Sequence, residues 1–247
     1  VAATHGPAGR ILEATMDDGD WAEFARRMAT LARDLLAQPS VDATLKRITE
    51  SAVELMDGCD AAGILLVRRR TVRTFAPTDD LVTQADELQE HLGEGPCLDV
   101  IRHDAERVFR VHDLTAHPDR WPRFVPEAAG LGIGSMMGFL LYTEDEELGA
   151  LNLYSRRPSA FTEAGETTGW LLASHAAVAL SSARTHAQLE EAMATRDVIG
   201  EAIGILRERH HLDPDQAFTA LRRYSQERNI KLRDVARQVC ASGRIGS

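Results

Sequence analysis

Three observations predict an α+β fold, an antiparallel sheet sandwich with helices, followed by a long coiled-coil helix and a C-terminal three-helix module. Short apolar runs of strand length lie only in the middle of the chain, bounded by turn residues. Amphipathic helical stretches precede and follow them. Beyond the last run, the chain from Glu163 to Arg209 contains no proline and keeps helical periodicity.

The composition is compatible with such a fold. Of 247 residues 44% are apolar, enough for an ordinary core, and 27% are charged, which excludes neither folding nor solubility. No apolar run approaches the length of a membrane span, so no membrane role is expected. The N-terminal stretch lacks the apolar core of an export signal, and a start at Val1 suggests trimming or truncation. Cys59, Cys97 and Cys240 are far apart and odd in number, without a CxxC pair. That argues against a disulfide framework or a zinc finger and for a cytoplasmic protein.

Residues 1–37 comprise a polar tail and a helix. Asp20 is placed to cap that helix, whose Phe24, Met28, Leu31 and Leu35 form one face. Pro39 breaks it. Ser40 caps a second helix carrying Leu45, Ile48, Ala52 and Leu55, and Gly58 follows as a stop. Ala61 to Val67 and Thr71 to Ala76 read as two strands around the basic turn at Arg68, Arg69 and Arg70. A polar helix from about Asp79 to His91 leads to Gly93-Glu94-Gly95-Pro96-Cys97 and a further helix. A strand at Val108 to Val111 and a helix from Trp121 to Gly130 come next. Ser135 to Tyr142 and Leu148 to Tyr154 pair around the acidic turn at Glu144 to Glu147. Segregated strands of this kind place helices on one face of the sheet.

This order, with GEGPC, Trp121 and the LGALNLYS run, resembles a GAF domain, a small-ligand sensor module, over residues 38–182. The resemblance implies a pocket between the sheet and the loops after the polar helix. Phe75, Pro96, Cys97, Val100, Trp121, Phe124, Met137 and Phe139 would lie near it, for an unidentified small-molecule or protein signal. Apolar residues at these positions also serve as plain core. No signature of haem, cyclic nucleotide or bilin accompanies them, so the cofactor is unknown.

In the long helix, Leu189, Met193, Ile199, Ile203 and Leu206 step like a coiled-coil seam, with Arg196 as a poor member. Such a helix would extend roughly 70 Å. Long uncapped periodic helices need a partner, so a parallel homodimer is expected.

Residues 183–247 form the linker and the last module. Ile199, Ile203 and Leu206 are followed by a cap at Asp213, Pro214 at the first helical position and Gln216 completing a capping box. Ala217, Phe218, Leu221 and Tyr224 form the next stripe. After a break at Asn229, Ile230, Leu232, Val235, Ala236 and Val239 supply a third. From Leu221 onward seven cations face two carboxylates, a local net charge of +5 on a chain whose total is −10. A charge run is often only a solvated face, but its concentration in one helical pair favours a polyanion site.

The ordered set Ile199, Ala202, Gly204, Leu206, Ala217, Leu221-Arg222, Asn229, Lys231-Leu232 and Val235-Ala236 resembles an ANTAR domain, the RNA-binding module of bacterial transcription antitermination regulators. The resemblance implies binding of nascent RNA hairpins that forestalls a terminator. On the basic helices Arg222, Arg223, Arg228, Lys231, Arg233 and Arg237 would carry it, with Arg233 and Arg237 on one face at i, i+4. Two alternatives stand beside this. Three short helices with a basic last helix also suit a DNA-binding helix-turn-helix, and a helical tail can dock on a protein instead.

Catalysis is not expected. No phosphate loop, nucleophile elbow or paired carboxylate set occurs, and GLGIG at residues 130–134 precedes a strand, the wrong context for a dinucleotide site. His103, Asp104, His112, Asp113, His117 and Asp119 fit no metal-ligand spacing. Cys97, near a helix start, has two readings: an activated thiol or a small residue packed behind a turn. His175 and Trp170, on the long helix, are read as core or interface.

Overall fold

The computed structural model describes residues 18–68, 71–102, 107–116, 119–143 and 147–246. His103, Asp104 and His117, most of the acidic turn and part of the basic turn lie outside these. The chain divides into two units, Val1–Arg184 and Thr185–Ser247.

The first unit opens with α1 (Asp18–Leu36) and α2 (Val41–Leu55). Met28, Leu31 and Leu35 are buried along α1, as their spacing predicts. The helix already runs at Asp18, so Asp20 lies inside it and is not its cap. Ser40 does cap α2: its Oγ accepts the Ala43 N–H at 3.1 Å. Leu45, Ile48 and Ala52 form the buried face of α2.

Five strands follow: β1 (Ala61–Arg68), β2 (Thr71–Phe75), β3 (Val108–Val111), β4 (Ser135–Tyr142) and β5 (Glu147–Ser155). They form one antiparallel sheet in the order β2-β1-β5-β4-β3. Between them lie α3 (Asp80–Leu92), α4 (Pro96–Arg102) and α5 (Phe124–Gly130). The helix expected from Trp121 begins only at Phe124. Pro122 disfavours the helical region for the residue before it, which keeps Trp121 outside the helix.

Helices cover both faces of the sheet, not one. Ala62, Ile64, Met137, Phe139, Leu141, Leu151 and Leu153 pack with α1, α2 and the first half of α6 (Glu163–His210). Ala61, Leu65, Met136, Ala150 and Tyr154 pack with α3, Cys97 and α5 on the opposite face. Side chains alternate across a strand, so adjacent apolar residues such as Met136 and Met137 must each be covered.

In the second unit the end of α6, α7 (Pro214–Arg228) and α8 (Leu232–Ser242) enclose Ala202, Leu206, Ala217, Leu221, Val235, Ala236 and Val239. The capping box forms in both directions. Asp213 Oδ1 accepts the Gln216 N–H at 2.8 Å, and Gln216 Oε1 accepts the Asp213 N–H at 3.1 Å. Asn229 ends α7 in the left-handed region, at φ 51°, which asparagine tolerates better than most residues. Lys231 precedes α8 without a side-chain capping bond.

Candidate sensor interior and nucleic-acid interface

The residues expected to share one pocket are divided between the two faces of the sheet. Cys97, Trp121 and Phe124 belong to the core under α3 and α5. Met137 and Phe139 lie on the other face, where the Phe139 ring meets Trp170 edge-on at 6.2 Å. Phe75 packs towards that same core and lines a groove with Leu45, Lys46 and Thr49 of α2. Pro96 is buried at the start of α4, and Val100 lies on that helix. Strand parity is the reason: Met137 and Phe139 are two apart and must share a face, opposite to Met136.

GEGPC forms a clamp. Gly95, at φ 138°, lies where a Cβ would come within 2.4 Å of Gln89 Oε1, so only glycine fits without displacement. Gln89 then grips Cys97 twice. Its Oε1 accepts the Cys97 N–H at 3.0 Å, and its Nε2 donates to Sγ at 3.3 Å. Glu94 accepts the Arg123 N–H at 2.9 Å and Nε at 2.8 Å, tying the segment to the start of α5. The Arg123 guanidinium holds the Glu94 carboxyl below the usual carboxylate range. Trp121 Nε1 donates to Asp99 at 3.0 Å. Cys97 is fully buried behind the turn, as the packed reading expects, and burial, aided by the nearby Asp86 charge, pushes its thiol well above the ordinary pKa. Cys59 is likewise pushed up to about 12 by burial.

A polar cluster that the sequence reading did not single out lies inside this half. Asp86, Gln89, Asn152 and Tyr154 are all at most 1% exposed. The Asp86 carboxylate accepts from Thr74 at 2.7 Å and from the Tyr154 hydroxyl at 2.8 Å. Burial pushes Asp86 up to about 6, against these two bonds and the nearby Asn152 amide, which favour the charged form. Tyr154 is raised well above its ordinary value by burial and then by the Asp86 charge. Neither amide atom of Asn152 completes a hydrogen bond of ordinary geometry. Asn152 pairs with Gly63 on one side and Gly138 on the other. Val82 and the Phe109 ring fill the space that those glycines leave. The only signal available in the sequence was a polar residue inside an apolar strand.

On the second unit the six expected RNA contacts fall into two groups. Arg223 pairs with Glu227 at 3.5 Å, and Arg237 with Asp234 at 3.4 Å. Arg233 pairs with Glu191 of α6 and approaches Asp234 at 3.8 Å, and its side chain is only 30% exposed. Arg222, Arg228 and Lys231 are exposed and have no carboxylate partner among the described residues. Arg228 instead lies over the Tyr224 ring, 5.8 Å from its centroid.

The expected dimer seam also divides. Leu189 and Met193 are 58% and 67% exposed. Ile199 and Ile203 are half-buried against this module's own core, and Leu206 lies fully inside it. Leu206 is therefore an internal core residue and offers a partner nothing. Phe218, expected in the buried stripe of α7, is 38% exposed. It stands 100° round the helix from Ala217, off the face that Ala217 and Leu221 bury.

Among the described residues no helix is long and apolar enough to cross a membrane, and no cluster of His, Cys, Asp and Glu could hold a metal ion. Of the metal candidates, Asp113 is used locally, accepting from the Thr115 N–H at 2.9 Å.

Comparison with known proteins agrees with both units. The GAF domain family model matches residues 38–181, and the ANTAR domain model matches residues 187–239. No curated protein gives a significant match. Among solved structures, the chain resembles the GAF domain of an Acinetobacter phosphoenolpyruvate-protein phosphotransferase at 15% identity and TM-score 0.50, covering 70% of this chain and 99% of that one. The corresponding domain from Coxiella burnetii shows 20% identity and TM-score 0.52, over 67% and 96%. The free methionine-R-sulfoxide reductase of Neisseria meningitidis shows 16% and 0.50, over 70% and 96%. At these identities the likeness concerns the fold alone. The GAF match spans more than half of the chain, which therefore belongs to the GAF domain family and carries an ANTAR domain behind its sensor fold.

Proposed function

We propose that this chain is a signal-responsive transcription antiterminator. Its GAF domain receives a small-molecule or protein signal, and its ANTAR domain binds hairpins in nascent RNA and keeps a terminator from forming. It acts in the cytoplasm as a homodimer, without catalysis of its own. The observation that carries the reading is the set of exposed cations Arg222, Arg228 and Lys231 within the ANTAR match, which have no carboxylate partner among the described residues, on a chain of net charge −10. Uncompensated cations on an anionic protein bind a polyanion through counterion release, and unstacked loop bases would supply the sequence readout. Lys231 supports this most directly. It precedes α8 at the positive end of the helix dipole, where a cation does not stabilise the fold.

The test measures binding of a tandem-hairpin RNA, a scrambled-loop hairpin and a matched duplex DNA. Lys231→Ala should leave the fold intact, weaken hairpin binding and make the salt dependence shallower by about one phosphate contact. Equal binding of DNA and hairpin RNA would favour a helix-turn-helix regulator instead.

A further inference from the structure

Phe218 is a large apolar side chain of the second unit that the core leaves out although Ala217 and Leu221 of the same helix are taken in. Ala217 and Leu221 are fully buried, whereas Phe218 keeps 38% of its surface exposed. One turn further along the same side of α7 stands Arg222, at the i+4 position that brings two helical side chains together. The residues three and four places from Arg222 are Phe218, Thr219, Ser225 and Gln226, none of them charged. Its neighbour Arg223 has Glu227 at the same spacing and pairs with it. Helix α7 thus presents an exposed aromatic face beside a cation with no carboxylate partner among the described residues.

We propose that Phe218 and Arg222 form a base-stacking subsite for RNA. An unstacked loop base lies on the Phe218 ring, and the phosphate attached to that nucleotide meets the Arg222 guanidinium. The two side chains match the two parts of one nucleotide, a flat apolar base and an anionic phosphate. Aromatic rings stack on any base, so the subsite reads whether a base is free to leave its stack, and Arg222 sets which phosphate lies beside it. This favours hairpin loops over duplex, where every base is already stacked. The inference rests on the RNA-binding reading and adds a recognition element to it.

The test uses the full chain and a synthetic tandem-hairpin RNA carrying 2-aminopurine at each loop position in turn. Stacking on Phe218 should quench the fluorescence at one loop position on binding. Phe218→Leu should abolish that quenching and weaken binding on the order of tenfold, the equivalent of stacking one base. Phe218→Trp should restore both. Arg222→Gln should keep the quenching, weaken binding and reduce the salt slope by about one phosphate. Because Phe218 lies outside the buried set, circular dichroism of these variants should match the parent. If the parent chain binds no hairpin RNA, the functional reading fails together with this subsite. If it binds tightly, and Phe218→Leu neither loses quenching nor affinity, the subsite is wrong while the reading stands. A Phe218→Leu chain that changes mass in light scattering and binds RNA normally would assign the ring to a protein contact, which also overturns the subsite.

Discussion

Replacing Asp86 by asparagine should change how the stability of the GAF domain depends on pH. Asp86 is 1% exposed, and its folded-state pKa is pushed up to about 6, above the ordinary value of 3.8. The folded state therefore holds this proton more tightly than the unfolded chain does. Its contribution to stability is complete below pH 3.8 and is lost as pH rises through the window to 6. Shifting a carboxyl by about two units corresponds to about 3 kcal/mol over the full window, about 2 kcal/mol of it between pH 4.5 and 7.5. In Asp86→Asn the side chain can still accept from Thr74 or Tyr154, but it has no charge to bury.

Urea unfolding followed by tryptophan fluorescence measures this cleanly, because Trp21, Trp121 and Trp170 all belong to the Val1–Arg184 unit. Other carboxylates titrate in the same range, so the quantity that matters is the difference between the two chains at each pH. The variant should gain on the parent by about 2 kcal/mol from pH 4.5 to pH 7.5. Parallel pH profiles would refute the argument. A variant that loses ground as pH rises would show that the bonds from Thr74 and Tyr154 outweigh burial.

Three further outcomes follow from the second unit. Glu191→Gln frees Arg233 from its partner on α6, so hairpin RNA affinity should rise about two- to fivefold at low salt, as expected for one weak ion pair, and an unchanged or lower affinity would count against Arg233 as a phosphate contact. Asp213→Ala removes the acceptor of the Gln216 N–H and should cost the module about 1 kcal/mol, read as faster amide exchange at the start of α7. Leu189→Glu combined with Met193→Glu should turn a dimer into a monomer in light scattering with helix content kept, whereas Ile203→Glu should unfold the module whose core it packs against; a parent chain already monomeric at micromolar concentration would remove the seam.

Features that depend on near neighbours are legible in the sequence alone. The Ser40 cap and the reciprocal Asp213 and Gln216 bonds span three residues, and their chemistry is written in the same few letters. The stripe of Met28, Leu31 and Leu35 needed only a period. What escaped depended on distant partners or on phase. That Met137 and Phe139 face away from Cys97 follows from the pairing of β4 with β5 and β3, not from either segment alone. Glu191 and Arg233 are 42 positions apart, so nothing local marks them as a pair. Phe218 adjoins buried Ala217 in sequence, yet one step of 100° carries it to the surface.

Leu206 makes the limit plainest. Apolar residues at steps of three and four describe a helix that buries one side, and the same steps serve a coiled coil between chains or a core within one. Leu189 and Met193 at one end of that series are exposed, while Ala202 and Leu206 at the other are enclosed by α7 and α8. The pattern is continuous although its use changes along the helix. What changes it is the arrival of Ala217, Leu221, Val235 and Val239, residues that close the core only after the chain has turned at His211, with φ 53°, and again at Asn229. A seam between chains therefore has to be sought upstream of those turns, at Leu189 and Met193, whose side chains are 58% and 67% exposed.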